Sequence, residues 1–391
     1  MILLLLTVTV IALLALFSYS SKFCSYLNPR PVVQGEDDIE LPTHSFATAR
    51  LSNVTMSSTT GHVIASPSSA PPTLCNDQCA PCSRRFLSCK EVTAVEPRMR
   101  PKLQHIKRKV VLSTDVMKIN LAWFVPVTSL LWHEKMGWQP VLFVVYRSEK
   151  DFTPLMNLII NYAVAAGVEV HKFKHTLNTS KYPMKVFLES IRLAGCVLDW
   201  PEDTYVLTSD LDMWPLNADF YNNETSYNTS VHLLFANAYG SPKRASEYPM
   251  CYIGMNLSTW REIMNCHEGQ DLMKYLAELR DFVGGNQWGI DQHGFTRRLK
   301  HWKGFPNSVH FTSRDTAVDR IDRKFHKDNY VWTSQKVEAH VLRPPFTAQN
   351  WPQLRAVLHH VLDQEEMEWI DQYAGHICSM LYCVNVSAKE S

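Results

Sequence analysis

Two aspartates that follow a hydrophobic segment are the strongest candidates for chemistry in this chain. Asp210 and Asp212 enclose Leu211 directly after the sequence TYVLTS, and Trp214 comes two residues later. Residues two apart in an extended chain point to the same side, so both carboxylates can approach one hard divalent cation. Carboxylate oxygens suit Mn²⁺ or Mg²⁺, and such an ion can bridge a diphosphate and neutralise its charge. The pair therefore predicts a metal site for a diphosphate-containing ligand.

Alternating strands and helices are expected to position these aspartates. Four almost continuously apolar runs predict buried strands, and helix-like segments separate them. The runs cover 110–116, 140–146, 168–173 and 204–210. This pattern indicates an α/β fold with a mainly parallel central sheet and helices on both faces, in which ligands bind at the carboxyl ends of the strands. Asp210 ends the fourth strand.

The later part of the chain predicts further strands and helices. Strand-like runs cover 232–237 and 250–258, and helices are expected from Thr259, over 291–299 and as a pair within 348–374. No GxGxxG follows the first strand and no GxxxxGK[ST] occurs, which disfavours an ordinary dinucleotide-binding or P-loop enzyme.

The N-terminus predicts entry into the secretory pathway. Residues 2–17 form an uncharged apolar run that Ser18 and Tyr19 extend to about the minimum length for crossing a bilayer. A signal-anchor over residues 1–20 and a cleaved signal peptide both remain open, because no Lys or Arg precedes the run. Either sends the rest of the chain into the lumen, where Asn-x-Ser/Thr sequons can be glycosylated. The sequons begin at Asn53, Asn178, Asn223, Asn228, Asn256 and Asn385.

Residues 21–104 are expected to form an extended luminal stem, because they are rich in Ser, Thr, Pro and acidic residues and lack a sustained period. A cysteine cluster within the stem indicates two local disulfides in the lumen, with a zinc site as the alternative. The cluster consists of Cys75, Cys79, Cys82 and Cys89. Bridges between Cys251 and Cys266 and between Cys378 and Cys383 are possible, but spacing does not decide the pairing.

Length and charge limit the remaining function classes. The 391 residues allow one catalytic domain, here 105–391, plus an appendage, and 46% hydrophobic residues suffice for a sizeable core. Lys and Arg number 39 against 38 Asp and Glu, a net charge of +1. So balanced a chain creates no field that would hold a polyanion, and no nucleic-acid partner is expected.

The combination of anchor, stem, α/β half and Asp-x-Asp after a core strand resembles Golgi-type GT-A glycosyltransferases. The resemblance covers roughly residues 105–350 at the level of organisation, and Asp210-Leu211-Asp212 is its specific motif match. It implies a GT-A-like fold and a metal-dependent hexosyltransferase-like enzyme. The donor would be a nucleotide-diphosphate sugar, UDP-linked, and the acceptor a glycan or glycoprotein.

The resemblance also implies roles for individual residues. Asp212 would be a direct metal ligand, and Asp210 a ligand or a ribose contact. A histidine near the end of the catalytic domain would complete the metal shell. His340 in VEAHVLRPP is the favoured candidate because it closes a short apolar strand and Arg343 can meet a phosphate, whereas His310 in NSVHFTS is the alternative.

Transfer with inversion also requires a carboxylate that accepts the proton of the acceptor hydroxyl. Asp291 is the candidate, because a Gly-rich segment runs into it and it opens a predicted helix. Helix capping alone is the alternative role for Asp291. Glu247 and Glu262 are weaker candidates for the base, and a retaining reaction without such a base stays open.

Other conspicuous residues have a functional and a structural interpretation. Trp214 and Trp288 can offer flat faces to sugar rings, although most of the 11 tryptophans must be core residues. Arg297 and Arg298 indicate an exposed basic helix face more than a phosphate contact. The alternating charges of 319–323 indicate a surface salt-bridge network around a flexible loop, with a role in the acceptor site as the alternative.

The expected location is the Golgi membrane, single-pass with a luminal catalytic domain, or secretion after signal cleavage. Two other functions remain open at this point. One is a non-catalytic luminal carbohydrate-binding protein with the same fold, and the other is a luminal hydrolase of nucleotides or glycans.

Overall fold

The structure, a computed structural model, describes residues 97, 99, 107–116, 119–177, 184–239, 241–242, 246–283, 289–314, 319–323, 332–347 and 349–390. The predicted anchor, nearly all of the predicted stem with its cysteine cluster, and Trp288 lie outside these residues. No helix within the described part of the chain is both long enough and apolar enough to cross a membrane.

A seven-stranded sheet forms the centre of the described residues, in the order β3-β2-β1-β4-β7-β6-β8. Its strands are β1 Arg108–Asp115, β2 Gln139–Tyr146, β3 Glu169–Lys174, β4 Tyr205–Thr208, β6 Val231–Leu233, β7 Ile253–Asn256 and β8 Val309–Phe311. All neighbouring strands are parallel except β7, which is antiparallel to β4 and β6. The expected α/β class and mainly parallel sheet are confirmed.

Helices cover both faces of this sheet. They are α1 Ile119–Ala122, α2 Val125–Leu130, α3 Pro154–Ala165, α4 Met184–Ser190, α5 Ala218–Glu224, α6 Leu257–Met264, α7 Leu272–Val283, α8 Ile290–His301, α9 Trp351–Leu358 and α10 Gln364–Glu390. Alternate residues of β2 point to opposite faces, as in any strand. Leu142 and Val144 pack in the core formed with α3 and α10, whereas Val141 and Phe143 pack in the core formed with α6, α7 and α8.

The local sequence explains why α3 begins where it does. Thr153 caps the helix, since its side chain accepts a hydrogen bond from the backbone N–H of Met156 at 3.2 Å. Pro154 occupies the first helical position, where it has no hydrogen bond to lose and its fixed φ suits a helix. Such a cap stabilises a helix by about 1 kcal/mol.

A second, three-stranded sheet carries the chain away from the end of β4. It contains β5 Met213–Pro215, β9 Arg320–Ile321 and β10 Glu338–His340, in the order β5-β10-β9. Strand β10 is antiparallel to β5 and parallel to β9. The second sheet therefore brings residues that are far apart in sequence next to Asp212.

Strand β3 differs from the buried strand expected at 168–173. It lies at the edge of the sheet, and Lys172 and Lys174 are exposed while its other residues are only half buried. Glu169 accepts hydrogen bonds from Lys109 at 2.5 Å and from His171 at 2.7 Å. Charged side chains on an edge strand discourage pairing with another chain, which explains a polar composition here.

The cysteine pairing also differs from the expectation. Cys266 is bonded to Cys196 rather than to Cys251, which is buried. The bond joins the 3₁₀ segment after α4 to the residues after α6, two segments that pack together in the folded core and lie 70 residues apart in sequence.

Candidate functional site

The Asp-Leu-Asp segment lies at the carboxyl end of β4, where ligands of parallel sheets bind. Leu211 points into the core with 4% exposure, and its carbonyl accepts a hydrogen bond from the Thr128 hydroxyl at 2.6 Å. The two aspartates have different surroundings: the side chain of Asp210 is 39% exposed and that of Asp212 is 5% exposed. Because each contacts different partners, the expectation that both carboxylates face one common point is not met in this conformation.

Asp212 lies within a group of cationic side chains. Arg343 donates from Nε to its Oδ2 at 2.8 Å, Arg323 also contacts this oxygen, and His340 Nε2 lies 3.3 Å from it. On its other ring nitrogen, His340 faces Asp322 at 3.7 Å. We call these five residues the Asp212 cluster.

The second sheet assembles the Asp212 cluster. His340 is paired with Met213 across β10 and β5, and the N–H of Val341 donates to the carbonyl of Asp212 at 2.9 Å. Arg323 lies two residues after β9 and donates from Nε to the carbonyl of Val341 at 3.0 Å. The structure thus brings together three of the residues expected from sequence, Asp212, His340 and Arg343.

The sequence prediction did not assign Arg323 to the site. The segment 319–323 was expected to be a surface salt-bridge network. Instead, Ile321 is buried in the core, Arg320 contacts the buried carboxylate of Glu338, and Arg323 contacts Asp212. Strand β9 has two residues, which is too short for an alternating sequence pattern to predict it.

Burial and neighbouring charges act in opposite directions on the pKa values of this cluster. Burial raises the pKa of Asp212, but the hydrogen bond with His340 and the charges of Arg343 and Arg323 outweigh it and hold the pKa well below its usual range. Burial lowers the pKa of His340, whereas hydrogen bonds to Asp212 and Asp322 raise it, and the net shift is upward. The cluster favours an ionised carboxylate beside cations.

Arg192 connects the other two predicted carboxylates. It contacts Asp210 through Nη1, and it donates to Oδ2 of Asp291 from Nε at 2.9 Å and from Nη2 at 2.8 Å. Asp291 accepts a further hydrogen bond from the N–H of Gln292 at 2.8 Å. Arg192 lies in the 3₁₀ segment after α4, 18 residues before Asp210 and 99 before Asp291, and no local motif marks it.

Asp291 occupies the first turn of α8, but its side chain is only 1% exposed. Burial raises its pKa, and Arg192 partly offsets this effect. A general base must reach the acceptor hydroxyl. The structure corrects the expected role on this point, because the carboxylate is enclosed and bound to Arg192, which it holds in place.

Gln292, next to Asp291, has a polar atom without a partner. The side chain is 6% exposed, and its Oε1 is buried without a hydrogen-bond partner among the described residues. An unpaired buried acceptor costs about 1–3 kcal/mol, so a ligand donor at this position would be favourable.

Several other expected site residues lie elsewhere. Trp214 is 1% exposed and packs edge-on against Phe124 in the core, so its ring face is not available to a sugar. His310 contacts Glu224 at 2.9 Å and is not part of the Asp212 cluster. Glu247 faces His293 at 3.5 Å, and Glu262 pairs with Lys303 at 2.8 Å.

The donor atoms of the Asp212 cluster fit a hard divalent cation in part. A carboxylate and an imidazole at 3.3 Å are the types of ligand that Mn²⁺ accepts. Asp210, the third expected ligand, contacts Arg192 instead. Within the described ranges, no three His, Cys, Asp or Glu residues are arranged as a metal site.

No protein-family model matches the chain, and no curated protein matches it. Among solved structures, it is similar to the galactosyltransferase LgtC in complex with donor and acceptor sugar analogues, with 13% identity and a TM-score of 0.38, covering 67% of this chain and 99% of LgtC. Mouse xyloside xylosyltransferase 1 gives 11% identity and a TM-score of 0.34, with 60% and 96% covered.

The glycosyltransferase GlyE of Streptococcus pneumoniae TIGR4 gives 13% identity and a TM-score of 0.36, with 69% of this chain and 64% of GlyE covered. All three TM-scores lie below 0.5, so the proposals below rest on this chain's own residues.

Proposed function

We propose that this protein is a metal-dependent glycosyltransferase of the DxD type, which moves a sugar from a nucleotide-diphosphate donor, UDP-linked, to a glycan or glycoprotein acceptor. The observation that carries the proposal is the Asp212 cluster at the carboxyl end of β4. There, the carboxylate of Asp212 and the imidazole of His340, which suit a metal ion, lie directly beside Arg323 and Arg343, which suit a diphosphate.

The cations of the Asp212 cluster are accessible to a ligand. The side chains of Arg343, Arg323 and His340 are 40%, 36% and 26% exposed, whereas Asp212 beneath them is 5% exposed. Guanidinium groups match phosphate oxygens with two parallel N–H donors. A diphosphate above the cluster could therefore be bound by two forked donors, once these turn from Asp212 toward the phosphates.

Asp212 and His340 are the residues that would hold Mn²⁺ or Mg²⁺, with Asp210 joining them if it leaves Arg192. The bound ion would supply charge neutralisation to the leaving nucleoside diphosphate. Arg323 and Arg343 would then turn from Asp212 toward the phosphates, which carry the stronger negative charge.

Arg192 and Gln292 are proposed to bind the transferred sugar. Arg192 is held from both sides by Asp210 and Asp291, so its guanidinium is oriented before the donor arrives. Gln292 has an unpaired acceptor oxygen, which is enclosed in this conformation and would meet a sugar hydroxyl only if the neighbouring residues move aside. In this arrangement, Asp291 orients Arg192 and does not contact the acceptor. The base for the acceptor hydroxyl is then another residue, or the reaction retains configuration and needs no such base.

The proposed location is the Golgi membrane, with the described residues in the lumen and the N-terminal segment as a single-pass anchor or a cleaved signal. The apolar run at 2–17 and the sequons support it. The disulfide between Cys196 and Cys266 adds support, because such bonds persist in oxidising compartments. A net charge of +1 gives no support for a nucleic-acid partner.

The test uses the full-length protein, purified in detergent from secretory expression. A panel of nucleotide sugars is assayed for nucleoside diphosphate release with and without Mn²⁺. We expect Mn²⁺-dependent release from one donor and background release in Asp212→Asn. Asp203→Asn makes the same charge change at the opposite end of β4, where Asp203 pairs with Lys107, and should retain activity.

The alternative is a non-catalytic carbohydrate-binding protein with this fold. It is favoured by the ion pairs that occupy Asp212 and Asp210, with no three-residue metal site among the described residues. A donor that binds, as seen by thermal shift, without release from any panel member would support this alternative and contradict the transferase.

A further inference from the structure

We propose that the protein carries a second carbohydrate site, which binds an anionic saccharide unit at the C-terminal end of α8. A cavity of about 400 Å³ opens there, and we call it the Phe282 pocket. Its walls include Phe282, Arg297, Arg298, His301, Trp302 and Lys303. This inference does not depend on the transfer reaction.

The Phe282 pocket is separate from the candidate catalytic residues. Asp291 lies in the first turn of α8 and His301 is its last residue, a separation of about 15 Å along the helix axis. The residues that line the pocket come from α6, the end of α7, the end of α8 and the segment after it. Occupancy at one end of α8 therefore leaves the other end open.

Two guanidinium groups are concentrated on one aromatic ring in this pocket. The Cζ atoms of Arg297 and Arg298 lie 4.5 Å and 4.6 Å from the ring centroid of Phe282. The ring attracts each cation, but the two cations repel each other. Within the described ranges, neither arginine forms an ion pair, and the carboxylate that lines the pocket, that of Glu262, pairs with Lys303 instead.

Most of the donors of these arginines remain available. Arg297 donates from Nη1 to the carbonyl of Phe282 at 2.9 Å, and Arg298 from Nη1 to that of Met264 at 2.7 Å. Nε of Arg298 is buried without a hydrogen-bond partner among the described residues. Each guanidinium carries five N–H donors in a planar fork, so each can still bind an oxyanion.

Cations in the last turn of a helix often serve only to complement its dipole. Arg297 and Arg298 each use one donor in that way, because the carbonyls they bind belong to Phe282 in the last turn of α7 and to Met264 at the end of α6. Lys303 pairs with Glu262 at 2.8 Å. The carboxylate of Glu262 lines the pocket, and this pair occupies it. Among the described residues, the two arginines therefore have helix carbonyls but no carboxylate as partners.

The size and the walls of the pocket indicate a saccharide. About 400 Å³ lies within the range of small-ligand sites. Phe282 is 38% exposed and Trp302 is partly exposed, so apolar ring surface lies beside the charged donors. Because both guanidinium groups lie over the Phe282 ring, the C–H face of a sugar would pack on Trp302 while its sulfate or carboxylate reaches the arginines. A sulfated or uronate-containing oligosaccharide supplies both groups.

The test is isothermal calorimetry of the full-length protein with three tetrasaccharides: a sulfated heparin fragment, the uronate-containing hyaluronan fragment and neutral chitotetraose. Inorganic sulfate is the fourth probe. We expect at least one acidic saccharide to bind at least about tenfold more tightly than chitotetraose or sulfate, since charge-assisted forked hydrogen bonds are among the stronger ones. The two acidic probes show whether sulfate or carboxylate is preferred.

Variants of the pocket complete the test. Arg297→Ala and the double variant with Arg298→Ala should weaken binding at least about tenfold, whereas Arg297→Lys should lose less because it keeps the charge. Lys274→Ala removes an exposed cation of α7 outside the pocket and should change little. Any of three results overturns the proposal. The neutral saccharide binds as tightly as the acidic ones, inorganic sulfate binds as tightly as the acidic saccharides, or the alanine variants bind the acidic saccharides as tightly as the parent protein. Thermal unfolding of Arg297→Ala confirms that the variant is folded.

Discussion

Arg192 is the residue on which two carboxylates of the candidate site depend. It contacts the partly exposed Asp210 and the enclosed Asp291 at the same time. Burial lowers the pKa of Arg192, but the two carboxylates outweigh this effect and raise it, so the guanidinium stays charged. Removing it would leave Asp291 as a charge in the interior without its partner.

We expect Arg192→Ala to lower the free energy of unfolding by about 3 kcal/mol, because it strands a buried carboxylate. Urea denaturation followed by circular dichroism measures this change. Adding Asp291→Asn should restore part of the loss, since it removes the stranded charge. A fully stable Arg192→Ala protein, or no recovery in the double variant, would contradict the described pairing.

At the residue scale, the sequence predicts a site residue correctly where a recognisable motif lies at the end of a predicted strand. It places His340 beside Asp212, because a short apolar strand precedes the histidine. It misses Arg192, whose partners lie 18 and 99 residues away, so no local spacing reports the contact. It also assigns Trp214 to a ligand, because a buried aromatic residue and a binding platform look alike in sequence.

Strand β7 depends on a glycine for its place between β4 and β6. A Cβ built on Gly254 would lie 2.8 Å from Cζ of Tyr205 and even closer to its hydroxyl. That hydroxyl is hydrogen-bonded to Nδ1 of His232 at 2.8 Å. The Tyr205 ring occupies the space beside Gly254, so the glycine serves packing at this position.

Gly254→Ala should therefore destabilise the protein by about 2 kcal/mol, since Tyr205 must move within a packed core. Thermal and urea unfolding give the value. Gly375→Ala in α10 is the matched control, because nothing lies within 4 Å of a Cβ there. Alanine favours a helix by up to about 1 kcal/mol over glycine, so the control should be neutral or stabilised.

The edge strand β3 gives the fold a dependence on pH. Partial burial raises the pKa of Glu169, but hydrogen bonds from His171 and Lys109 outweigh it and lower the pKa to about 2. A carboxylate whose pKa falls on folding stabilises the folded state above its unfolded pKa, near 4.5. This contribution is lost as the pH falls from there toward 2.

Glu169→Gln should lower the stability at pH 7 by about 1 kcal/mol, a value reduced for the partial exposure of the group. The difference between parent and variant should shrink as urea denaturation is repeated down to pH 3. Glu278→Gln serves as the control, since its pair with Lys274 is exposed and 4.0 Å long. If the stability difference between parent and Glu169→Gln stays constant with pH, the ionised Glu169 carboxylate is not the source of that difference.

Element prediction followed the strength of the hydrophobic pattern. Strand β2, expected over 140–146, is Gln139–Tyr146, and β1, expected over 110–116, is Arg108–Asp115. The pattern fails for the two-residue β9, which tertiary pairing with β10 creates. Those pairings, which the local sequence does not encode, build the Asp212 cluster.

At the scale of the whole molecule, one disulfide joins the two ends of the segment that contains Asp210 and Asp212. The 70-residue segment between Cys196 and Cys266 contains β4, both motif aspartates, β5, β6 and β7. Closing a loop of this length in the unfolded chain stabilises the folded state by about 4 kcal/mol on the chain-entropy argument.

We expect reduction, or the paired change Cys196→Ala and Cys266→Ala, to lower the free energy of unfolding by about 3 kcal/mol, within the usual range for a native bond. Calorimetry with and without reductant measures the loss. Cys251→Ala should leave the response to reductant unchanged, because this cysteine is not bonded. Insensitivity of the parent to reductant would contradict the pairing.

The antiparallel course of β7 also places two of the sequons at one end of the sheet. It carries the exposed Asn256 to the end of the sheet where β4 begins, opposite Tyr205 and away from Asp210. The exposed Asn228, three residues before β6, lies at the same end. In the proposed luminal location, oligosaccharides added at these two sequons would extend away from the Asp212 cluster and leave its side of the sheet uncovered.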